Sequence, residues 1–387
     1  MIDFQDTRKA FRLKSNDDLR RARFLFNSIG NSALVKYGSA LALWSLKNSL
    51  PVEGLIRQTV FKQFVGGESI EACKPVIDKM HNLGVQSILD YSVEGKASEA
   101  DFERTTEVTL QTIQFASKHS GVPLAVFKPT GLGRIEIWTK VSSNQTLSET
   151  EASEWERVQN RVLRICDLAA SLGIPVMMDA EESWMQSAAD DLALNMMRRF
   201  NRQQPVVYNT LQMYRHDRLA YLKQLLDISK TEGFHLGIKV VRGAYMEKER
   251  ARALKHNYLS PIQANKSNTD RDYDLAVELL VKNIDHSALV AGTHNENSCR
   301  KMADLIESLK LDKNSPRLFF SQLYGMSDNL SFNLADAGYK VVKYLPFGPV
   351  KEVMPYLIRR AEENTSVGGQ TGRELQLIET ELRRRRS

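Results

Sequence analysis

Eight short apolar segments between residues 85 and 344 constrain the fold of this 387-residue chain more than any other feature. Each is rich in Val, Ile, Leu or Phe, and a longer amphipathic stretch follows it. Continuous apolar segments joined by helical crossovers indicate parallel strands buried on both faces. Eight such units predict an α/β fold, a closed (βα)8 TIM-like barrel, with a doubly wound open sheet as the alternative. The segments are Val85–Asp90, Pro123–Lys128, Ile174–Asp179, Pro205–Gln212, Gly237–Tyr245, Ala288–His294, Arg317–Gln322 and Lys340–Tyr344.

Residues 1–83 have a helical pattern instead. Ser15 offers an N-cap, and apolar residues then recur at helical spacing from Leu19 to Ile29. These apolar faces need a surface to pack on. We therefore expect an N-terminal helical arm that lies around or against the barrel rather than a catalytic unit.

The predicted barrel domain covers residues 84–366. Two of its crossovers, at 129–173 and 246–287, are long enough to hold extra loops or helices. Residues 367–387 end in Arg383–Arg386, which supplies much of the net charge of +6. A run of like charges is usually solvated, so we expect a basic C-terminal tail, with binding to anionic lipid or nucleic acid as the alternative.

The composition describes a globular protein of a reducing compartment. Hydrophobic residues make up 42% of the chain and charged residues 26%. Three scattered cysteines form no CxxC pair, so neither a disulfide framework nor a zinc site is indicated. The N-terminus has no apolar run of signal-peptide length, and the sequence has no apolar run of the roughly 20 residues that a spanning helix needs. We expect a cytoplasmic location, most consistent with a bacterium.

Polar residues able to do chemistry stand at the ends of almost all the predicted strands. In a (βα)8 barrel the C-terminal strand ends meet at one mouth, where such enzymes place their active sites. We therefore expect a functional site there. The residues are Asp90 with Glu94, Lys128, Asp179 with Glu181, Gln212, Arg242 with Tyr245, His294, Gln322 and Tyr344.

A predicted helix after the last strand has the spacing of a carboxylate-binding face. Tyr356, Arg359 and Arg360 are spaced i, i+3, i+4 and so share one side of the helix. Guanidinium groups can bind a carboxylate through two parallel hydrogen bonds. The alternative is that both arginines only form surface ion pairs with Glu363.

Other chemistries are possible at the predicted mouth. Asp179, Glu181 and His294 could hold a metal ion for a hydrolase or aldolase. The cations Lys128, Lys239 and Arg242, with the two helix arginines, favour an anionic ligand, so we expect no metal. No GxGxxG fingerprint indicates a Rossmann nucleotide site. A catalytically silent anion-binding or nucleic-acid-binding barrel is a third alternative, although we expect no nucleic-acid partner.

Taken together, seven sequence strings over about residues 85–365 resemble the proline dehydrogenase family, whose members are flavoenzymes with a (βα)8 barrel. The length resembles the single-activity form of the family. The strings occur in the family's order, and jointly they are specific. They are Asp179–Glu181, Tyr208–Gln212, Lys239–Tyr245, Gly292–Asn295, Gln322–Met326, Tyr344–Gly348 and Tyr356–Asn364.

The resemblance implies bound FAD and the oxidation of L-proline to Δ1-pyrroline-5-carboxylate. By this resemblance, Asp179 and Lys239 are the expected catalytic residues, and Glu94 is a loop acid that closes the site. The expected substrate-binding residues are Lys128, Tyr344, Tyr356, Arg359 and Arg360. The expected flavin-binding residues are Ala180, Gln212, Lys239, Arg242, Gly243, Ala244, Thr293 and His294.

Two positions depart from the pattern of many relatives. Lys239 stands where arginine is common near the flavin, so a single charge replaces a fork of donors. Met246 stands where an aromatic residue is frequent. Because Tyr344 leaves little room for a ring hydroxyl, the resemblance favours proline over hydroxyproline or another cyclic secondary amine. It also implies a membrane quinone as electron acceptor and peripheral contact with an anionic membrane surface.

Overall fold

The fold is a closed barrel of eight parallel strands in the order in which they occur in the chain. A computed structural model describes residues 2–30, 32–48, 50–93, 97–366 and 370–386. All eight predicted strands are present, so the barrel prediction is confirmed and the open-sheet alternative is wrong. The strands are β1 (Val85–Tyr91), β2 (Leu124–Phe127), β3 (Val176–Met178), β4 (Val207–Gln212), β5 (Leu236–Val241), β6 (Ser287–Gly292), β7 (Leu318–Leu323) and β8 (Val341–Phe347).

The chain divides into two compact units. The terminal unit combines Met1–Gly95 with Ser321–Ser387, and the middle unit is Lys96–Phe320. The predicted N-terminal arm thus belongs to the same unit as strands β1 and β8, which pair in parallel from Val85 opposite Val341 to Tyr91 opposite Phe347.

The predicted arm is helical. Ser15 caps its second helix through a capping box with Asp18, and the helix ends before Gly30 as the sequence predicts. A π-helical turn, Arg57–Phe61, interrupts the later part. The helices of the arm are α1 (Thr7–Ala10), α2 (Asn16–Ile29), α3 (Ser32–Lys47), α4 (Glu53–Ile56), α5 (Lys62–Phe64) and α6 (Ile70–His81).

The middle unit contains strands β2 to β6 and the helices around them. The strands pair in parallel with their chain neighbours. Both long crossovers carry an extra helix, as the sequence predicts, and a short 3₁₀ turn at Pro129–Gly131 follows β2. The helices are α7 (Glu99–Ala116), α8 (Ile135–Ser142), α9 (Glu149–Leu172), α10 (Ser183–Phe200), α11 (Arg218–Glu232), α12 (Met246–His256), α13 (Lys266–Lys282) and α14 (Glu296–Ser308).

The rest of the terminal unit holds three helices, α15 (Asp328–Asp336), α16 (Val350–Ser366) and α17 (Gln370–Arg384). Their apolar faces pack against the arm in one buried cluster. Phe26 and Phe64 of the arm lie in that cluster with Tyr356 and Leu357 of α16 and Ile378 of α17. The arm therefore packs against the helices at the other end of the sequence.

The expected basic tail is wrong for most of its length. Helix α17 buries Leu377, Ile378 and Leu382. Its acid Glu381 is fully buried and accepts hydrogen bonds from Arg384 at 2.8 Å and Arg385 at 2.7 Å. Burial alone would raise the pKa of Glu381, but these hydrogen bonds lower it to about 2. Two of the four arginines that suggested a solvated run, Arg384 and Arg385, are therefore partners of a buried carboxylate.

Arg385 also binds the arm directly. Its guanidinium donates to the carbonyl oxygens of Phe11 at 2.9 Å and Lys14 at 2.8 Å, and to Asn16 Oδ1 at 3.1 Å. Among the described residues, no helix is both long enough and apolar enough to cross a bilayer.

Candidate active site

A buried ion pair joins the end of β3 to a residue within β5 in the middle unit. Asp179 directly follows β3, and Lys239 lies on β5 with its side chain pointing to the same inner face of the sheet. Lys239 Nζ lies 2.5 Å from Asp179 Oδ1, and both side chains are largely buried. The structure thus brings the two expected catalytic residues together. Losing either partner would leave an uncompensated buried charge, which makes the pair sensitive to substitution.

The strand between them presents two oxygen atoms that lack a partner. Asn209 donates to Asp190 of α10, so it faces the outer helices, and side-chain alternation turns Thr210 and Gln212 inward. Thr210 is the register partner of Lys239. Within the described part of the chain, Thr210 Oγ1 and Gln212 Oε1 are buried with no hydrogen-bond partner.

Unpaired buried oxygens are uncommon, because each costs about 1–3 kcal/mol when desolvated. Two of them beside an ion pair fit a polar ligand that completes their hydrogen bonds. Among the residues expected to hold FAD, Gln212 has such an unpaired oxygen. Its amide nitrogen donates a long hydrogen bond to Ala180 O at 3.5 Å. Sequence analysis did not single out Thr210, although the two-residue spacing to Gln212 was available as a signal.

Arg242 is held firmly at the end of β5. Its guanidinium donates to Asp270 at 2.7 Å, to Thr293 Oγ1 at 2.7 Å and to Ser298 Oγ at 3.0 Å. It also lies 4.3 Å from the ring centroid of Tyr273. The structure therefore joins two expected cofactor-binding residues, Arg242 and Thr293, in one network at the start of α14.

Three other expected cofactor-binding residues lie beside this network in sequence. Gly243 has φ +132°, a conformation that other residues rarely adopt, and an added Cβ would come within 2.5 Å of the Tyr214 ring. Ala244 and His294 are half-buried. A backbone turn with this requirement fixes where β5 ends and α12 begins.

Glu181 has a different partner from the one a metal site would need. Its two carboxylate oxygens accept hydrogen bonds from Thr130 N at 2.8 Å and Thr130 Oγ1 at 2.7 Å. Burial, followed by the charge of Glu182, raises the pKa of Glu181 to about 7, while Thr130 and Lys128 oppose the rise.

These contacts argue against the metal alternative. Asp179 pairs with a lysine and Glu181 with a threonine, so neither carboxylate is arranged around an open position for a cation. No group of three or more His, Cys, Asp or Glu side chains suited to a metal ion occurs among the described residues.

In the terminal unit, the predicted helix carrying the arginine pair is present as α16. Tyr356 is buried, and Arg359 and Arg360 are half-buried. The Arg360 guanidinium lies 5.4 Å from the Tyr356 ring centroid, so these two side chains share one face as predicted. The side chain of Glu363, the partner in the ion-pair alternative, lies outside the described residues.

Tyr344 lies on β8, where the alternation of side chains fixes its direction. Its neighbour Lys343 points toward α15, because Lys343 Nζ lies 2.8 Å from Asp328 Oδ1. Tyr344 therefore points to the opposite, inner face of the strand and is buried there. Glu94, the expected loop acid, lies outside the described residues, so its role stays a prediction.

Comparison with known proteins identifies similar sequences over most of the chain. A family model described as proline dehydrogenase matches residues 73–373. The carbapenem antibiotics biosynthesis protein CarD of Pectobacterium carotovorum subsp. carotovorum is 36% identical, over 89% of this chain and 90% of that protein. Proline dehydrogenase 1, mitochondrial, of Dictyostelium discoideum is 32% identical, over 87% of this chain and 67% of that protein.

A hydroxyproline dehydrogenase of Xenopus laevis is 31% identical, over 97% of this chain and 88% of that protein. Among solved structures, proline utilization A from Bdellovibrio bacteriovorus superimposes with a TM-score of 0.71 at 22% identity. That match covers 81% of this chain and 34% of the larger protein, so this chain spans about a third of its length. At this identity the likeness supports the fold alone.

Proposed function

The chain belongs to the proline dehydrogenase family, and from that membership we propose that it oxidises L-proline to Δ1-pyrroline-5-carboxylate with bound FAD. The observation that carries the proposal is the buried Asp179–Lys239 pair on the inner face of the barrel, at 2.5 Å. The unpaired oxygens of Thr210 and Gln212 on the neighbouring strand support a ligand at the same place.

Bound FAD would supply the acceptor for the hydride that leaves C5 of proline. Lys239 would hold a positive charge near the flavin ring, and Asp179 would keep that ammonium oriented and charge-balanced. The free carbonyl oxygen of Gln212 would accept a hydrogen bond from a donor on the ring. Ala180, Arg242, Gly243, Ala244, Thr293 and His294 would contribute the remaining contacts to the cofactor.

The substrate would be positioned by residues that suit a cyclic amino acid. Arg359 and Arg360 would bind its carboxylate, because a pair of guanidinium groups provides several charge-assisted donors. Tyr344 and Tyr356 would contact the ring, and Lys128 would stand beside the substrate. Fixing the reacting carbon in this way can contribute about 7 kcal/mol or more to lowering the barrier.

The electrons would then pass to a quinone in a membrane, with the protein bound peripherally to an anionic surface. Family membership supports this part of the proposal. Two of the four arginines in the run Arg383–Arg386, Arg384 and Arg385, bind Glu381, so their charges are partly balanced within the protein.

An anaerobic titration of the purified protein with L-proline tests the proposed reaction. We expect a yellow protein whose flavin absorption bleaches as L-proline is added, and much less as hydroxyproline is added. If the flavin stays oxidised with proline but is reduced by hydroxyproline, the assigned substrate would change to hydroxyproline. The expected role of Tyr344 in excluding a ring hydroxyl would then be wrong. A colourless protein that does not take up FAD would contradict the proposal.

A further inference from the structure

The outer face of helix α3 is apolar and exposed. Tyr37, Leu41 and Trp44 are spaced i, i+4, i+7, so they lie on one side of the helix. They are 71%, 62% and 57% exposed, and Leu43 beside them is 43% exposed. An isolated exposed apolar residue is ordinary in a globular protein, but a row of large ones with two aromatic rings indicates a binding surface.

The opposite face of α3 is anchored in the terminal unit. Val35, Ser45 and Leu46 are buried, and Ala42 packs against the same apolar cluster. Helix α3 contacts both α2 and α16. Burial of this second face leaves the row of Tyr37, Leu41 and Trp44 directed away from the core.

The segment that carries this face is basic in sequence. From Leu19 to Val52 the sequence contains no Asp or Glu, but it contains Arg20, Arg21, Arg23, Lys36 and Lys47. Lys36, next to Tyr37 in sequence, is exposed, and so is Arg23 on α2, while Arg20 lies 3.0 Å from Asp17. An apolar row with aromatic residues and neighbouring cations matches the interface of an anionic lipid bilayer, where apolar groups enter and cations meet head groups.

We propose that the Tyr37–Leu41–Trp44 face of α3 docks the protein on an anionic bilayer, lying in the plane of the interface. The proposal deepens the proposed transfer of electrons to a membrane quinone by assigning the surface that makes the contact. A second copy of this chain fits the face less well. In a two-fold contact the same basic residues would face one another and repel.

Vesicle sedimentation tests the docking. The change is Tyr37→Gln, Leu41→Gln and Trp44→Gln together, measured on vesicles of phosphatidylcholine with phosphatidylglycerol. We expect at least about tenfold weaker partitioning, because three large apolar groups no longer leave water. Lys36→Gln alone should weaken partitioning about fivefold at low salt, and this difference should shrink at high salt.

The middle unit offers a matched control. Leu254 and Leu259 are 86% and 94% exposed, so Leu254→Gln with Leu259→Gln removes comparable apolar surface elsewhere. This variant should bind vesicles like the unchanged protein. Trp44 gives a second measurement, since brominated lipid should quench its fluorescence on binding and Trp44→Phe should remove that quenching.

Three results would overturn the proposal. The triple variant could be folded and still bind anionic vesicles normally, or the control variant could lose as much binding. The triple variant could also convert a dimer into a monomer in light scattering, which would assign the face to a second copy. Proline oxidation with a soluble dye as acceptor is measured separately. Its failure would contradict the proposed function and leave the vesicle result unaffected.

Discussion

Each of the two compact units contains a buried lysine paired with an aspartate and a buried glutamate whose pKa is raised to about 7. In the middle unit these are Lys239 with Asp179, and Glu181. In the terminal unit they are Lys343 with Asp328, and Glu374. Burial is the largest cause of both raised pKa values, followed by a neighbouring acid, Glu182 for Glu181 and Asp328 for Glu374.

The surroundings of the two sets differ. The terminal set is completed by backbone atoms: Lys343 Nζ donates to Met326 O at 2.6 Å, and Glu374 accepts from Ser327 N at 2.5 Å. Ser327 lies in the left-handed region with φ +50°, so these contacts hold a strained residue at the start of α15.

The middle set lies beside two oxygens that the described protein leaves unpaired, on Thr210 and Gln212, and the terminal set lies beside one, Ser87 Oγ on the register partner of Lys343. Burial and a raised pKa therefore do not by themselves identify an active site. The direction of the side chains is the more useful criterion: Lys239 points to the inner face of the barrel, whereas Lys343 points toward α15. We therefore assign the terminal set to stability and propose that the middle set is functional.

The largest expected effect is on the rate of flavin reduction by L-proline. Lys239→Met should lower this rate about 1000-fold, or about 4 kcal/mol, because a cation at the reacting centre is lost. Lys343→Met, measured on the folded fraction, should change the rate less than about threefold. Stopped-flow absorbance under anaerobic conditions gives both rates. Similar losses in the two variants would break the assignment.

The two lysines should also differ in how much each contributes to the free energy of unfolding. Lys343→Met should lower the free energy of unfolding by about 3 to 4 kcal/mol, since Asp328 then keeps an uncompensated charge in a buried place. Denaturation in urea measures the difference. Adding Asp328→Asn should recover part of the loss. A double variant no more stable than the single one would show that the pair contributes little.

The arginines proposed to bind the substrate carboxylate, Arg359 and Arg360, lie on α16 of the terminal unit and not in its buried set. We expect Arg359→Met or Arg360→Met to lower kcat/KM by at least about 3 kcal/mol, with KM raised and kcat lowered. Steady-state kinetics with L-proline measures both parameters. Arg373→Met on the neighbouring helix α17 is the control, since Arg373 is not among the expected substrate-binding residues. Near wild-type kinetics in both α16 variants would remove the carboxylate assignment.

Glu374 should make stability depend on pH. Its pKa in the folded state, about 7, lies above its ordinary value of 4.5. The unfolded chain therefore loses this proton first, and the stability present below pH 4.5 is lost as pH rises to about 7. Glu374→Gln keeps an acceptor for Ser327 N and should be more stable than the unchanged protein by about 2 kcal/mol at pH 8. Equal stabilities at pH 5 and pH 8 would contradict this.

The smallest expected effect tests the unpaired oxygens. Thr210→Val keeps the shape of the side chain and removes its hydroxyl. The apoprotein should gain up to about 1 kcal/mol, while FAD should bind about fivefold more weakly. Thr106→Val is the matched control, because the Thr106 hydroxyl donates to Phe102 O at 2.8 Å. That change should not stabilise the protein. Unchanged FAD affinity in Thr210→Val would show that the Thr210 hydroxyl does not contribute to binding FAD.

Sequence reasoning reached the parts of the molecule that local patterns determine. Continuous apolar segments gave all eight strands, and i, i+3, i+4 spacing gave the face of α16. The buried terminal set was not predictable, because Asp328, Lys343 and Glu374 are distant in sequence and meet only through tertiary packing. The arginines near residue 385 were misjudged for a different reason. Glu381 lies three and four residues before Arg384 and Arg385, a spacing that allows ion pairs, but the burial of this acid depends on tertiary packing.

The hydrogen bonds of Arg385 also set an order of events during synthesis. The carbonyls of Phe11 and Lys14 that it binds emerge from the ribosome long before it does, since Lys14 and Arg385 are 371 residues apart. Helices α1 and α2 are therefore synthesised before the whole barrel, and Arg385 is synthesised after it. A chain that terminates early leaves these helices unclosed, so such products should be recognised by chaperones and proteases as unfinished.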